Sequence, residues 1–173
     1  MRSYGGDKYI FSYLDSDSSQ VLKINYADDK YVGVETGRQL EEFTGRDVIK
    51  VPVYERVAAG NAQLMDEQVA DYFSLPAKWF NNKSKLFLLK VKGDSMINAG
   101  INDNDLVLIE KKNTAQNKEI VIVSQGDDAV IKRYFKEGST VMLLSENSKY
   151  APIHVRTELA RILGVAFAVI RGK

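Results

Sequence analysis

The segment Asp128-Ala-Val-Ile-Lys-Arg-Tyr-Phe135 alternates with the period of a β-strand. A strand here places Val130, Lys132 and Tyr134 on one face and the intervening side chains on the other. From Val51 onward the chain repeats this pattern, with short apolar runs between clusters of turn residues. The predicted strands are Leu86–Lys92, Leu106–Lys111, Glu119–Ser124, Ala129–Phe135, Thr140–Leu144 and Ala160–Ile170. Many short strands with polar turns predict a mostly β, antiparallel domain over residues 51–173.

The first 50 residues are predicted to be a small β-rich extension whose role is left open. Three strands joined by Asp/Ser turns are expected at Lys8–Leu14, Gln20–Tyr26 and Lys30–Thr36. Two short helices are also predicted, at Arg38–Phe43 and at Asp66–Phe73. The aromatic pair Trp79-Phe80, which follows the second of these, is expected to contribute to the core.

Composition excludes several classes of protein. The 173 residues are 45% hydrophobic with a net charge of +1, which is typical of a globular chain with one full core. The absence of cysteine excludes a thiol nucleophile, a disulfide framework and a cysteine zinc site, and no cofactor or metal is predicted. No apolar run reaches the roughly 18 residues of a membrane span. The first seven residues lack an apolar signal region, so a cytoplasmic location is expected.

A candidate nucleophile and a candidate base follow from two of the predicted strands. Ser95 comes after a strand and Gly93, which permits a tight turn, and it precedes a short helical turn. That setting exposes the serine Oγ and predicts an oxyanion hole from the backbone N–H groups of Asp94 and Ser95. A serine hydroxyl needs a neighbouring base. Lys132 can serve, because burial in a β-rich run lowers the pKa of a lysine and leaves a neutral amine.

A small-residue stretch upstream completes a self-cutting arrangement. Val57-Ala-Ala-Gly60 offers the Ala59–Gly60 bond, whose small side chains and flexible glycine suit entry into a cleft on the same molecule. Each motif also has an ordinary interpretation: a turn for Gly-Asp-Ser, a solvated strand residue for the lysine, a linker for Ala-Ala-Gly. Only the order and spacing of the three together favour catalysis.

Other candidate sites are weaker. His154 is the only histidine, so a Ser-His-Asp triad would depend on it, and a structural or surface strand role is expected instead. The acidic pairs Asp103…Asp105 and Asp127-Asp128 are expected to serve turns rather than a cation.

At these residues the chain resembles the LexA-type self-cleaving repressors and their relatives, including the UmuD-type mutagenesis proteins. The resemblance runs from about Val51 to the C-terminus. It rests on Ala-Ala-Gly, Gly93-Asp-Ser-Met, the lysine strand and three further segments, which are Gly100-Ile-Asn-Asp-Asn-Asp-Leu106, Leu144-Ser-Glu-Asn-Ser-Lys-Tyr-Ala-Pro-Ile153 and Gly164-Val-Ala-Phe-Ala-Val-Ile-Arg171. It implies a LexA-like C-terminal peptidase domain with Ser95 as nucleophile, Lys132 as general base and Ala59–Gly60 as the scissile bond.

The resemblance further implies a homodimer, a role in the DNA-damage response and a RecA filament on single-stranded DNA as activator. Residues 1–50 depart from it, since strands are predicted where such a repressor carries a helix-turn-helix DNA reader. These residues carry 7 Lys+Arg against 9 Asp+Glu, a poor electrostatic match for a phosphate backbone. Direct DNA binding by this chain is therefore not expected. The alternative is a UmuD-like or non-proteolytic module for dimerisation or partner binding.

Overall fold

A computed structural model describes residues 8–15, 22–25, 31–57, 69–80, 85–125 and 128–172 of the chain. Within these ranges the chain forms thirteen strands. They are β1 (Lys8–Tyr13), β2 (Leu22–Asn25), β3 (Tyr31–Thr36), β4 (Gln39–Thr44), β5 (Val48–Tyr54), β6 (Asp71–Pro76), β7 (Leu86–Lys90), β8 (Leu106–Lys111), β9 (Ile120–Gln125), β10 (Asp128–Glu137), β11 (Thr140–Leu144), β12 (Ile153–Arg156) and β13 (Ile162–Gly172).

Helix is almost absent from the part of the chain that the structure describes. Its helical segments there are 3-10 turns of three or four residues, at Gly45–Asp47, Ala77–Phe80, Ile97–Ala99 and Thr157–Leu159. The predicted mostly β fold class is confirmed. None of the described helices is long and apolar enough to cross a membrane.

The long strand β13 organises the sheet. Along one edge it pairs with β8, and along the other it pairs first with β9 and then with β1. From β9 the sheet continues through β10 and β11 to β12, and from β1 through β2 and β3 to β4. Strands β7, β5 and β6 continue from β8, and only the β5–β7 pairing among these ladders is parallel. The prediction of antiparallel strands is therefore confirmed with one exception.

Alternating side chains build the core on both sides of β13. Ala168 and Ile170 lie in one apolar cluster with residues of β1, β3, β5, β6 and β8. Ala166 and Val169 lie in a second cluster with residues of β7, β8 and β9. Gly164 lies where β13 pairs with β8. Glycine is favoured at this position, because a Cβ there would lie 2.5 Å from Cγ2 of Ile109.

The predicted N-terminal strands form where the structure describes them, as β1, β2 and β3. Phe11 of β1 and Val32 of β3 are completely buried in the first cluster, and β1 hydrogen-bonds to β13 in the register Phe11↔Ile170. All three strands thus share a sheet with later residues, and β1 and β3 also share their core. The division of the chain at residue 50 stays a prediction.

The helix prediction at Arg38–Phe43 is wrong, because these residues belong to a hairpin. Gly37, with φ +62°, turns the chain, and β4 then pairs with β3 in the register Val32↔Phe43. Burial of Phe43 against the core favours the strand. The helix prediction at Asp66–Phe73 is also wrong where it can be compared, since Asp71–Phe73 begins β6 and pairs with β5. Residues 66–68 lie outside the described ranges.

Two smaller predictions are confirmed. His154 is an exposed residue of β12, opposite Met142 of β11. Phe80 is buried in the first cluster, and the Trp79 ring packs 4.9 Å from the ring of Phe11.

Candidate active site

Ser95 lies in a turn that the sequence shapes with glycines. After β7 the chain passes through Gly93, whose φ of +92° favours glycine, and its N–H donates to Oδ1 of Asp103 at 2.7 Å. Ser95 is half-buried, and the 3-10 turn Ile97–Ala99 follows it and ends at Gly100, with φ +82°. The predicted position of the serine, after a strand and before a helical turn, is confirmed.

Lys132 is a buried amine on β10. Only 8% of the residue is exposed, and Nζ donates to Oγ of Ser145 at 2.6 Å. It also lies 5.8 Å from the centre of the Tyr150 ring. Burial lowers the pKa of the Lys132 amine from its ordinary value of 10.5, because removing water disfavours the ammonium form. Burial follows the alternation predicted for β10 from Lys132 to Tyr134, with Arg133 partly exposed between them, whereas Ile131 on the other face is buried as well.

Ser95 and Lys132 line the same cavity of about 450 Å³. Its walls come from the segment that follows β5, from the end of β7 and the serine turn after it, and from the start of β10. Val57 contributes to these walls, and its carbonyl accepts a hydrogen bond from the N–H of Ala129 at 3.1 Å. The chain leading to the predicted cleavage sequence therefore already lies against the lysine strand. Ala59 and Gly60 themselves lie outside the described residues.

Asp94, next to the serine, is held by the segment that follows β11. Its Oδ1 accepts from the Tyr150 hydroxyl and its Oδ2 pairs with Lys149 Nζ, both at 2.7 Å. Asn147 Nδ2 donates to the Asp94 carbonyl at 2.9 Å. Hydrogen bonds hold the pKa of the Asp94 carboxyl below its usual range, and the one from Lys149 contributes more than the one from Tyr150.

Arg133 points to the opposite face of β10 and links three elements. Its Nε donates to Glu146 at 2.8 Å, and Nη1 and Nη2 bind the Asp15 carboxylate at 2.7 and 3.1 Å. Nη1 also donates to the carbonyl of Lys118 at 2.7 Å. The turn after β1 and the segment after β11 are thus joined through the residue beside Lys132.

The acidic residues after the serine turn have structural roles, as predicted. Asp105 is 2% exposed, accepts from the Asn102 N–H and forms a two-pronged ion pair with Arg171 at 2.8 and 2.6 Å. Among the described residues no group of three or more His, Asp or Glu is arranged to hold a metal ion. Residue 127 and the side chain of Asp128 lie outside what the structure describes.

Comparison with known proteins places this geometry in a family. The model of the Peptidase S24-like family matches residues 52–167, more than half of the chain. The chain belongs to the Peptidase S24-like family. The matched residues include the serine turn, the lysine strand and the segment after β11.

Curated relatives of this S24-like chain are LexA repressors. The LexA repressor of Clostridium tetani is 42% identical over 126 residues, covering 73% of this chain and 62% of that protein. That of Clostridium kluyveri is 38% identical over 132 residues, covering 76% and 64%. That of Caldicellulosiruptor saccharolyticus is 36% identical over 159 residues, covering 92% and 72%. The chain thus spans about six tenths of the length of the first two. The predicted LexA-type C-terminal domain is confirmed.

Sequence reasoning missed Ser145, which forms the shortest side-chain contact of Lys132 given above. In the sequence, Ser145 is noticeable only as part of Leu144–Ile153, one of the segments that carry the resemblance. The strand β11, which ends at Leu144, runs antiparallel to β10, so Leu144 lies opposite Arg133. That register brings the residue after β11 beside Lys132. No local pattern gives that register, because it is set by the turn of the hairpin and by the pairing of its two strands.

Proposed function

We propose that this S24-like chain is a serine peptidase domain that cuts its own Ala59–Gly60 bond, as part of a LexA-like transcriptional repressor of the DNA-damage response. The observation that supports this most is the single cavity lined by Ser95, Lys132 and Val57. Ala59 is two residues beyond Val57, a reach of at most about 7 Å in an extended chain. Nucleophile, base and the approach to the substrate thus converge on one cleft.

The proposed chemistry needs only groups of this chain and one water molecule. The neutral Lys132 amine takes the proton of the Ser95 hydroxyl while Oγ bonds to the carbonyl carbon of Ala59. The resulting oxyanion accepts hydrogen bonds from the backbone N–H groups of Asp94 and Ser95. The C–N bond to Gly60 then breaks, and the Lys132 ammonium gives its proton to the departing nitrogen. Water next attacks the Ser95 ester, with Lys132 again as base, and releases the Ala59 carboxylate.

Control is proposed to come from the position of the cleavage loop. A permanently docked bond would be cut as the chain folded, so we propose one docked and one undocked position. A docked state that is a minor population slows cutting in proportion. A RecA filament on single-stranded DNA is the proposed trigger, acting by binding the docked state better without supplying a catalytic group. A homodimer and a cytoplasmic location belong to the same proposal, and direct DNA binding by this chain does not.

The decisive experiment follows self-cleavage of the purified chain from pH 7 to pH 10.5. The rate is expected to rise with pH, because deprotonation of Lys132 creates the base. Ser95→Ala and Lys132→Ala are each expected to abolish cutting while urea unfolding reports an intact fold. Mass spectrometry is expected to identify fragments 1–59 and 60–173.

The outcomes separate the parts of the proposal. A flat pH–rate profile, or a Lys132→Ala protein that still cuts, rejects the proposal that Ser95 and Lys132 act together as nucleophile and base. No cutting at any pH leaves the non-proteolytic module for dimerisation or partner binding. Addition of a RecA filament is expected to accelerate the wild type and to leave Ser95→Ala uncut. An unchanged rate, alongside alkaline self-cleavage, keeps the peptidase and rejects the damage-response role.

A further inference from the structure

Ser145 is a buried hydroxyl in direct contact with the proposed base. It follows β11, is 6% exposed, and its Oγ lies 2.6 Å from Nζ of Lys132. The proposed reaction uses Ser95 and Lys132 and gives this second serine no part. A buried hydroxyl that neighbours a buried amine calls for an explanation, because both groups lose water on folding.

The contact restricts where the amine can point. A neutral lysine amine has two N–H groups and one lone pair, on a four-carbon side chain that carries about 2 kcal/mol of rotamer entropy. When Ser145 Oγ accepts one N–H, rotation about the terminal bond is limited and the lone pair has few directions left. The other close group, the Tyr150 ring, lies 5.8 Å from Nζ and accepts only weakly. Among the described residues the Ser145 hydroxyl is therefore the main directional contact of the amine.

The same segment is anchored to the turn that carries the nucleophile. The carbonyl of Glu146 accepts from the Asn98 N–H at 2.8 Å. Asn147 Nδ2 reaches the Asp94 carbonyl at 2.9 Å, one residue before Ser95. Ser145 thus connects Lys132 to the serine turn through Glu146 and Asn147, the two residues that follow it.

We propose that Ser145 is a positioning residue, which holds the Lys132 amine in the orientation that takes the proton from Ser95. This inference rests on the proposed self-cleavage. Ser145 does not touch the reacting bond in this proposal, and it acts only through the lysine. The structure gives it this role by burial, by the 2.6 Å contact and by its attachment to the serine turn.

The proposal has a signature in the pH profile. Ser145 Oγ also accepts from the ammonium form, and an acceptor stabilises that form, so removing it lowers the pKa of Lys132 further. Other charged or titratable groups around the amine remain the same in the variant. Among the described residues they include the Tyr150 ring over Nζ, Lys149 over the same ring and, elsewhere in the cavity wall, Glu55, Arg56, Lys90 and Lys92. Arg133, adjacent on β10, is occupied by Glu146 and Asp15.

The test compares self-cleavage rates of four proteins from pH 7 to pH 10.5. Ser145→Ala is expected to lower the limiting alkaline rate about tenfold or more, because misplacing a catalytic group by an ångström can cost a hundredfold. Its midpoint is expected at lower pH than that of the wild type. Ser145→Thr, which keeps the hydroxyl, is expected to restore most of the rate. Ser148→Ala, an exposed serine three residues on, is the matched control and is expected to cut like the wild type.

A second measurement does not depend on cutting. In a Ser95→Ala background, the Lys132 side-chain resonances are titrated by NMR with and without Ser145→Ala. The midpoint is expected to fall when the hydroxyl is removed. If Ser145→Ala does not fold, Ser145→Cys replaces it, since a thiol is similar in size and a weak acceptor.

The results distinguish this inference from the proposed function. A wild type that cuts, with a Ser145→Ala or Ser145→Cys protein of equal limiting rate and midpoint, overturns the positioning role alone. A rate loss that Ser145→Thr does not restore also overturns it, because the hydroxyl is then not what matters. A wild type that never cuts rejects the proposed function, and an unmoved Lys132 midpoint in the NMR titration then rejects the contact as well.

Discussion

Replacing Lys132 by methionine is expected to change the pH dependence of stability. The perturbation is made in a Ser95→Ala parent, so that cleavage does not interfere. Lys132 is 8% exposed, and burial lowers its pKa in the folded protein below the 10.5 of the unfolded chain. Between these two pKa values the unfolded state binds more protons than the folded state. The free energy of unfolding of the parent therefore rises with pH in this window, by about 1.4 kcal/mol per pH unit.

Methionine has no proton to bind, so the stability advantage of Lys132→Met over the parent is expected to shrink with pH. The advantage is full and constant below the folded pKa of Lys132 and reaches its minimum near pH 10.5. Loss of the Ser145 contact adds an offset that does not vary in this window. For a urea slope of about 2 kcal/mol per molar, typical of a small protein, the gap between the two urea midpoints closes by roughly 0.7 M per pH unit.

Lys149→Met is the matched control, because Lys149 lies near the same site with the opposite electrostatics. Its side chain is 60% exposed, and its hydrogen bond to Asp94 raises its pKa. The stability from a raised lysine pKa is present below the unfolded pKa and is lost only as the pH passes the folded value, above 10.5. The gap between Lys149→Met and the parent is therefore expected to stay constant between pH 7 and 10. An equally constant gap for Lys132→Met would refute the reasoning, since Lys132 would then titrate as an ordinary lysine.

Three further outcomes are expected. Gly60→Asp should block self-cleavage, because its side chain has to enter a cleft that fits none, and undiminished cutting on a gel contradicts the proposed scissile bond. Gly164→Ala should destabilise the fold by about 1–3 kcal/mol, because its Cβ would lie 2.5 Å from Cγ2 of Ile109, and an unchanged urea midpoint would show that β8 yields without cost. Asp105→Ala should cost about 3 kcal/mol, since it removes the buried partner of Arg171, and a loss below 1 kcal/mol in urea unfolding would mean that water replaces that pair.

Local periodicity was sufficient for most of the sheet and failed where spacing was ambiguous. The observed bounds of Leu106–Lys111 and Thr140–Leu144 agree with the prediction, because a short apolar run there is bounded by turn residues. In Arg38–Phe43 a helix is predicted wrongly. Leu40 and Phe43 stand three residues apart, a spacing that also fits one face of a helix. What decides the strand is pairing with β3, and a local pattern does not contain it. The strand β5 is not among the predicted strands, because its extended conformation depends on pairing with β6 and β7.

The candidate site divides in the same way. Ser95 and Lys132 could be predicted because each carries its own local signal, a glycine turn before the serine and apolar neighbours around the lysine. The contacts that organise them could not, because they join segments distant in sequence. Ser145 reaches Lys132 across a hairpin, and Asp94 meets Tyr150 across 56 residues. Such contacts follow from the register of the sheet, which is a property of the whole fold.

In the proposed reaction, the energetics of Lys132 also explain how a self-cutting chain can persist. The rate is the product of two fractions, the neutral amine and the docked loop. Burial of Lys132 raises the fraction of neutral amine but lowers the stability of the fold at neutral pH. Ser145 orients the amine, and because it also accepts a hydrogen bond from the ammonium form it reduces part of this increase in neutral amine. In this proposal the docked fraction is the one that a partner can change, because the chain up to Val57 is already held against β10 by the hydrogen bond from the Ala129 N–H to the Val57 carbonyl. A trigger that shifts the loop therefore needs no catalytic group and no effect on the lysine. It follows that such a trigger should multiply the rate by the same factor at every pH, whereas one that acted on Lys132 would shift the midpoint of the profile.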